Sequence, residues 1–126
     1  MKENADDTIM GSAFVTINRM LKYIERSLDD DVFDLDNFSH EKFKISENRF
    51  FRYLKMLADC GYIEGVKVTD LGEKDDFDAD DYERFHAEFS SPAITIRGLQ
   101  FLAENTAWVK MIRAARSIGD VKSVVL

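Results

Sequence analysis

The sequence is poor in the residues that most often carry chemistry: one cysteine, one proline, one tryptophan and two histidines in 126 residues. The single Cys60 excludes an intramolecular disulfide and a multi-cysteine zinc site, and it suits a reducing cytoplasm, which is the expected compartment. His40 and His86 have no spacing that suggests a shared metal, so neither a metal nor a cofactor is expected. No glycine-rich phosphate loop and no serine or cysteine motif of the nucleophile-elbow kind is present, which argues against an enzyme. No apolar run approaches the roughly 20 residues needed to span a bilayer, so no membrane association is expected. Residues 1–7 are polar and acidic and do not read as a targeting segment.

What the chain does have is an ordinary globular mix, 45% hydrophobic and 33% charged, at a length that supports one core. The net charge of −7 is unevenly placed. Residues 70–92 hold nine acids against Lys74 and Arg84 and so account for all of it, while residues 46–69 carry +1 and residues 93–126 carry +3. A globally acidic protein is a poor nonspecific nucleic-acid binder, although a local basic face is compatible with the C-terminal charge.

Periodicity divides the chain into short elements. Residues 1–12 read as a flexible arm. Phe14, Ile17, Met20, Leu21, Ile24 and Leu28 recur at three- and four-residue steps, which predicts a helix over residues 12–28 capped by Ser12. Residues 32–35 alternate as a short strand, and Asn37 or Ser39 caps a short helix from His40 to Phe43. After a tight connection at Lys44 and Ile45, Ser46 opens the best-defined helix, with Phe50, Tyr53, Leu54 and Leu57 on its core face and Gly61 as a left-handed cap. Residues 62–69 read as a strand and residues 93–96 as its partner; Phe85, Ala87 and Phe89 fit either a strand or, with Tyr82, a helical face, and the strand is favoured because it extends the hairpin. Thr95 caps a helix over residues 96–105, with Leu99 and Leu102 inward. A second C-terminal helix is predicted over residues 107–118, ended by Gly119, and residues 119–126 form an apolar tail.

This order predicts an α+β winged helix-turn-helix: three helices, a small sheet with a β-hairpin wing, and an added C-terminal helix pair, one domain over residues 13–118. In that scaffold the third helix usually enters the DNA major groove. Ile45, Ser46, Glu47, Phe50, Leu54 and Leu57, then Gly61, Tyr62, Ile63, Gly65 and Val66, resemble the YjcQ-like winged-helix family. Ile94, Thr95, Ile96, Gly98, Phe101, Leu102, Glu104 and Asn105 look like that family's strand-to-helix signature. The resemblance covers most of the chain. It implies the winged-helix fold, an origin in Gram-positive bacteria or their phages, and a function only by analogy.

Two function classes follow. The first is a DNA-binding, regulator-like protein of phage or prophage type that reads double-stranded DNA with Asn48, Arg49, Arg52 and Lys55, residue types able to pair with base edges and phosphates. Any solvated helix face carries such residues, and Glu47 and Asp59 dilute the charge. The second is a protein-interaction module on the same scaffold, whose acidic wing, with Phe77, Tyr82, Phe85 and Phe89 among the acids, meets a basic protein partner. Asp76, Asp78 and Asp80 alternate, but the loop lacks the glycine and terminal glutamate of a calcium loop. The stripe of Trp108, Met111, Ile112, Ala115 and Ile118 either closes the core or joins a homodimer, with Trp108, Ile112, Ala115 and Ile118 as its interface. Cys60, at a helix C-terminus beside Asp59, reads as a buried structural cysteine.

Overall fold

Helix α1 (Ala13–Arg26) forms where the apolar steps of three and four are strongest, and it buries Met20, Leu21 and Ile24 completely. The computed structural model describes residues 13–77 and 80–121, without the side chains of residue 112 and residues 116–121. The expected N-terminal arm and its Ser12 cap, and the end of the expected tail, lie outside the described residues. A 3-10 turn (Ser27–Asp29) finishes α1, and Leu28, expected on the apolar face, is exposed there.

The strand expected over residues 32–35 does not form. The Asp34 carboxylate accepts bonds from the Asp36 and Asn37 backbone N–H groups at 3.1 and 3.4 Å and from Asn37 Nδ2 at 2.7 Å, which bends the chain into a side-chain-stabilised turn. Ser39 caps α2 (His40–Phe43) by accepting from Lys42 N, and the helix stops at Lys44, which is left-handed at φ 60°. Ser46 then accepts from Arg49 N to cap α3 (Glu47–Asp59), so the two helices are separated by three residues.

Strands β1 (Ile63–Asp70) and β2 (Phe85–Ile94) pair antiparallel, from Ile63 opposite Ile94 to Asp70 opposite Phe85. The strand reading of Phe85, Ala87 and Phe89 is therefore correct. Simple alternation along β1 would set Ile63 on the face opposite Val68, yet both are buried. The register breaks between Glu64 and Val66, and this bulge restores both to one face. Gly65 sits in it at φ 77°, where a Cβ would stand 2.4 Å from the Ser90 carbonyl oxygen.

The expected C-terminal helix pair is one helix, α4 (Ile96–Val121), which also runs through Gly119. Asn105 and Thr106, read as the break, turn their side chains sideways onto α1. Asn105 Nδ2 donates to the Phe14 carbonyl at 3.1 Å and Thr106 Oγ1 donates to Asn18 Oδ1 at 2.9 Å. With their polar groups satisfied across the interface, neither competes for the helix backbone. Asn105 and Val109 are buried on this side, whereas Leu99, expected inward, is 41% exposed.

The architecture is thus α+β, four α-helices and one two-stranded hairpin among the described residues. Its core is aromatic at the helix-turn-helix: Phe38 packs edge-on to Phe50 at 5.2 Å and to Phe43 at 5.7 Å, and stacks with Tyr23 at 5.2 Å. The first turn of α4 is locked to the end of α3. Thr95 N donates to the Tyr62 carbonyl at 3.0 Å, Thr95 Oγ1 donates to the Gly61 carbonyl at 2.6 Å and accepts from Gly98 N at 3.0 Å. A Cβ on residue 98 would stand 2.0 Å from the Tyr62 oxygen. Gly98→Ala should therefore cost at least ~1–3 kcal/mol, the usual penalty of overpacking, read as a lower urea midpoint at unchanged slope. An unchanged midpoint would show that the contact has slack.

Candidate nucleic-acid interface

Helix α3 buries Phe50, Tyr53, Leu54 and Leu57 in the core that it shares with α1, α2 and the hairpin, so its other side is left to solvent. Asn48, Arg49 and Arg52 are exposed on that side, and Lys55 is half-buried. The sequence-predicted four therefore do share one helix, but three of them are already held by the chain. Arg49 Nη1 donates to the Tyr53 hydroxyl at 3.0 Å. The Arg52 guanidinium lies 5.9 Å from the Phe85 ring centroid, and Lys55 Nζ reaches Asp59 Oδ2 at 2.8 Å. The bond to Asp59, and then its charge, raise the Lys55 pKa. An exposed pair of this kind is readily exchanged for another anion.

The hairpin defines the electrostatic border of α3. At its last strand pair, Arg84 Nε and Nη2 clasp Asp70 at 2.7 and 3.0 Å, a bidentate pair that closes the base of the acidic tip. The Arg84 bonds first, then the Gly72 N–H at 2.9 Å, and more weakly the charges of Arg84 and Arg52, hold the Asp70 carboxyl down at about 2. Beyond this clasp Phe77 is 97% exposed and Leu71 57%, surrounded by Glu73, Asp75, Asp76, Asp80, Asp81 and Glu83. On the flank of α3 that faces β2, Glu47 and Glu83 edge a cleft of about 370 Å³.

A family model described as YjcQ protein matches residues 18–121. The chain belongs to the YjcQ family. No curated protein and no solved structure matches it.

In this YjcQ chain the cations Arg97, Lys110 and Arg113 of α4 fall elsewhere. Lys110 and Arg113 do not extend the face of α3; they border α1. Arg97 lies beside Tyr62, Phe101 and Glu104. None of the three meets an acid of the hairpin within ion-pair distance among the described residues. Of the expected dimer residues, Trp108 is 38% exposed with its ring edge-on to Phe14 at 6.3 Å, and Ala115 is exposed. The side chains of Ile112 and Ile118 lie outside those described. Cys60 is exposed rather than buried, because it is the C-cap of α3, past the last core residue Leu57. Asp78 of the rejected calcium pattern lies outside the described residues, and no metal-binding group of His, Cys, Asp and Glu occurs among those described. No helix of the described residues is long and apolar enough to cross a membrane.

Because the folded Asp70 value lies below the ordinary 3.8, the Arg84 clasp stabilises the fold above about pH 4, and that contribution is lost as pH falls through about 2. Carboxyl-detected NMR should give an Asp70 midpoint near 2, and Asp70→Asn should flatten the acid limb of the stability curve over that window. A midpoint near 3.8 would mean that the clasp is open in solution.

Proposed function

We propose that this YjcQ chain is a winged-helix, transcription-regulator-like protein that presents α3 to the major groove of double-stranded DNA. The observation that carries the reading is the exposed Asn48, Arg49 and Arg52 on the first two turns of a helix capped immediately after a helix-turn-helix connection. Arg and Asn are the side chains best matched to guanine and adenine edges in that groove. The ring of Phe85 supports the Arg52 guanidinium, which restrains it while leaving its donors exposed. Lys55 contributes a phosphate contact by exchanging Asp59 for DNA. This reading requires the acidic tip of the hairpin to lie clear of the duplex rather than along its backbone.

A second reading is favoured by the tip itself. Phe77 and Leu71 are exposed apolar side chains among six described carboxylates, a surface suited to a basic protein partner. On that reading α3 is a solvated face.

Duplexes selected from a random pool on the wild-type protein separate the two. Arg52→Ala should weaken binding to the selected sequence by about 1–3 kcal/mol, the range for a lost base contact, and relax preference at one position. Failure to enrich any sequence, or an Arg52→Ala variant with wild-type affinity and preference, would remove α3 as the reader and leave the interaction module.

A further inference from the structure

Helices α1 and α4 cross with a groove of about 240 Å³ between them, and its walls carry five cations and no carboxylate. Arg19, Lys22 and Arg26 come from α1 at steps of three and four, so they share one side of that helix. Lys110 and Arg113 face them from α4, one turn apart. The acids nearest in sequence, Glu25 on α1 and Glu104 on α4, are not among the lining residues. None of the five cations has an ion-pair partner among the described residues. The floor is built: Asn18 is buried and bonds Thr106 across the helix pair, and Val109 is buried beside them.

Five unneutralised cations brought together in a chain of net charge −7 repel one another, a cost that an anion filling the groove removes. Cations three and four apart on a helix stand roughly 5–6 Å apart at Cβ. Two such rows form a strip of charge, which suits an extended polyanion better than a single small ion. Three of the five are arginines, whose forked donors match phosphate oxygens in pairs. The strip also adjoins the helix-turn-helix: the Arg19 guanidinium donates to the Phe43 and Lys42 carbonyls at 3.4 and 3.5 Å, at the end of α2 just before the turn into α3.

We propose that the α1–α4 groove binds the phosphodiester backbone of the nucleic acid, a sequence-independent phosphate track formed by Arg19, Lys22, Arg26, Lys110 and Arg113. The choice of ligand rests on the nucleic-acid reading above; the groove itself does not depend on α3 reading bases. In this arrangement the helices supply the backbone contacts that a basic wing supplies in other winged helices, and the acidic hairpin is free of that task.

The test is fluorescence anisotropy of a labelled mixed-sequence duplex over a salt series, with the wild type, Arg52→Ala, and the triple variant Lys22→Gln, Lys110→Gln, Arg113→Gln. The triple variant should flatten the slope of log affinity against log salt by about two to three, close to one per lost phosphate contact, while its thermal unfolding matches the wild type. Arg113→Lys, which keeps the charge, should keep the wild-type slope. A triple variant with the wild-type slope overturns the groove, and the α3 reading then stands or falls on Arg52→Ala alone. A reduced slope in the triple variant, with no sequence preference in the wild type, supports the groove and removes α3 as reader. No duplex binding by the wild type at low salt, or competition by polyglutamate equal to that of duplex at matched charge, overturns the assignment to nucleic acid.

Discussion

The carbonyl of Tyr62 is the point on which the arrangement turns. It accepts the Thr95 N–H at 3.0 Å, while the neighbouring Gly61 carbonyl accepts the Thr95 hydroxyl, so the end of α3, the open end of the hairpin and the start of α4 are tied at one corner. Gly98 allows the first turn of α4 to lie directly on that carbonyl, and Phe101 stacks on the Tyr62 ring at 4.6 Å. A helix launched from this corner has its direction set within its first two turns. It then meets α1 ten to thirteen residues on from the Thr95 cap, where Asn105 and Trp108 meet Phe14 and Thr106 meets Asn18. The cationic groove depends on that junction, because it sets where α4 meets α1.

Charge follows the same division. The acids that account for the whole net charge of −7 lie in residues 70–92, and the Asp70–Arg84 clasp marks where the hairpin pairing gives way to them. The cations instead gather on helices: Arg49, Arg52 and Lys55 on α3, and the α1 and α4 rows facing each other across a separate groove. A chain can therefore be acidic overall and still carry local fields of positive sign, since exposed charges are screened over roughly 8–10 Å at physiological salt.

Much of the fold was legible because it is written in local chemistry. Ser39 and Ser46 are side-chain caps, Thr95 caps α4, Gly61 has positive φ, and the apolar steps of α1 and α3 name most of their buried faces. What was not legible depends on partners distant in sequence. Asn105 and Thr106 look like a helix break until Phe14 and Asn18, nearly ninety residues away, are seen to satisfy them. Residues 32–35 alternate like a strand, but the local bonds of Asp34 take the backbone first. On α3 the four candidate residues could be placed by helical geometry alone, whereas their contacts to Phe85, Tyr53 and Asp59 could not all be foreseen. The cations of α1 at positions 19, 22 and 26 were not singled out from the sequence, because only the meeting of α1 with α4 turns them into the wall of a groove.

The central claim is that nucleic acid meets the helices and not the acidic hairpin. Amide chemical-shift mapping of the isotope-labelled chain during titration with a mixed-sequence duplex tests it most directly. The account predicts shifts on the first two turns of α3 and on the facing turns of α1 and α4, with residues 71–77 and 80–84 unchanged. Shifts confined to that tip, or none at all at low salt, would contradict it.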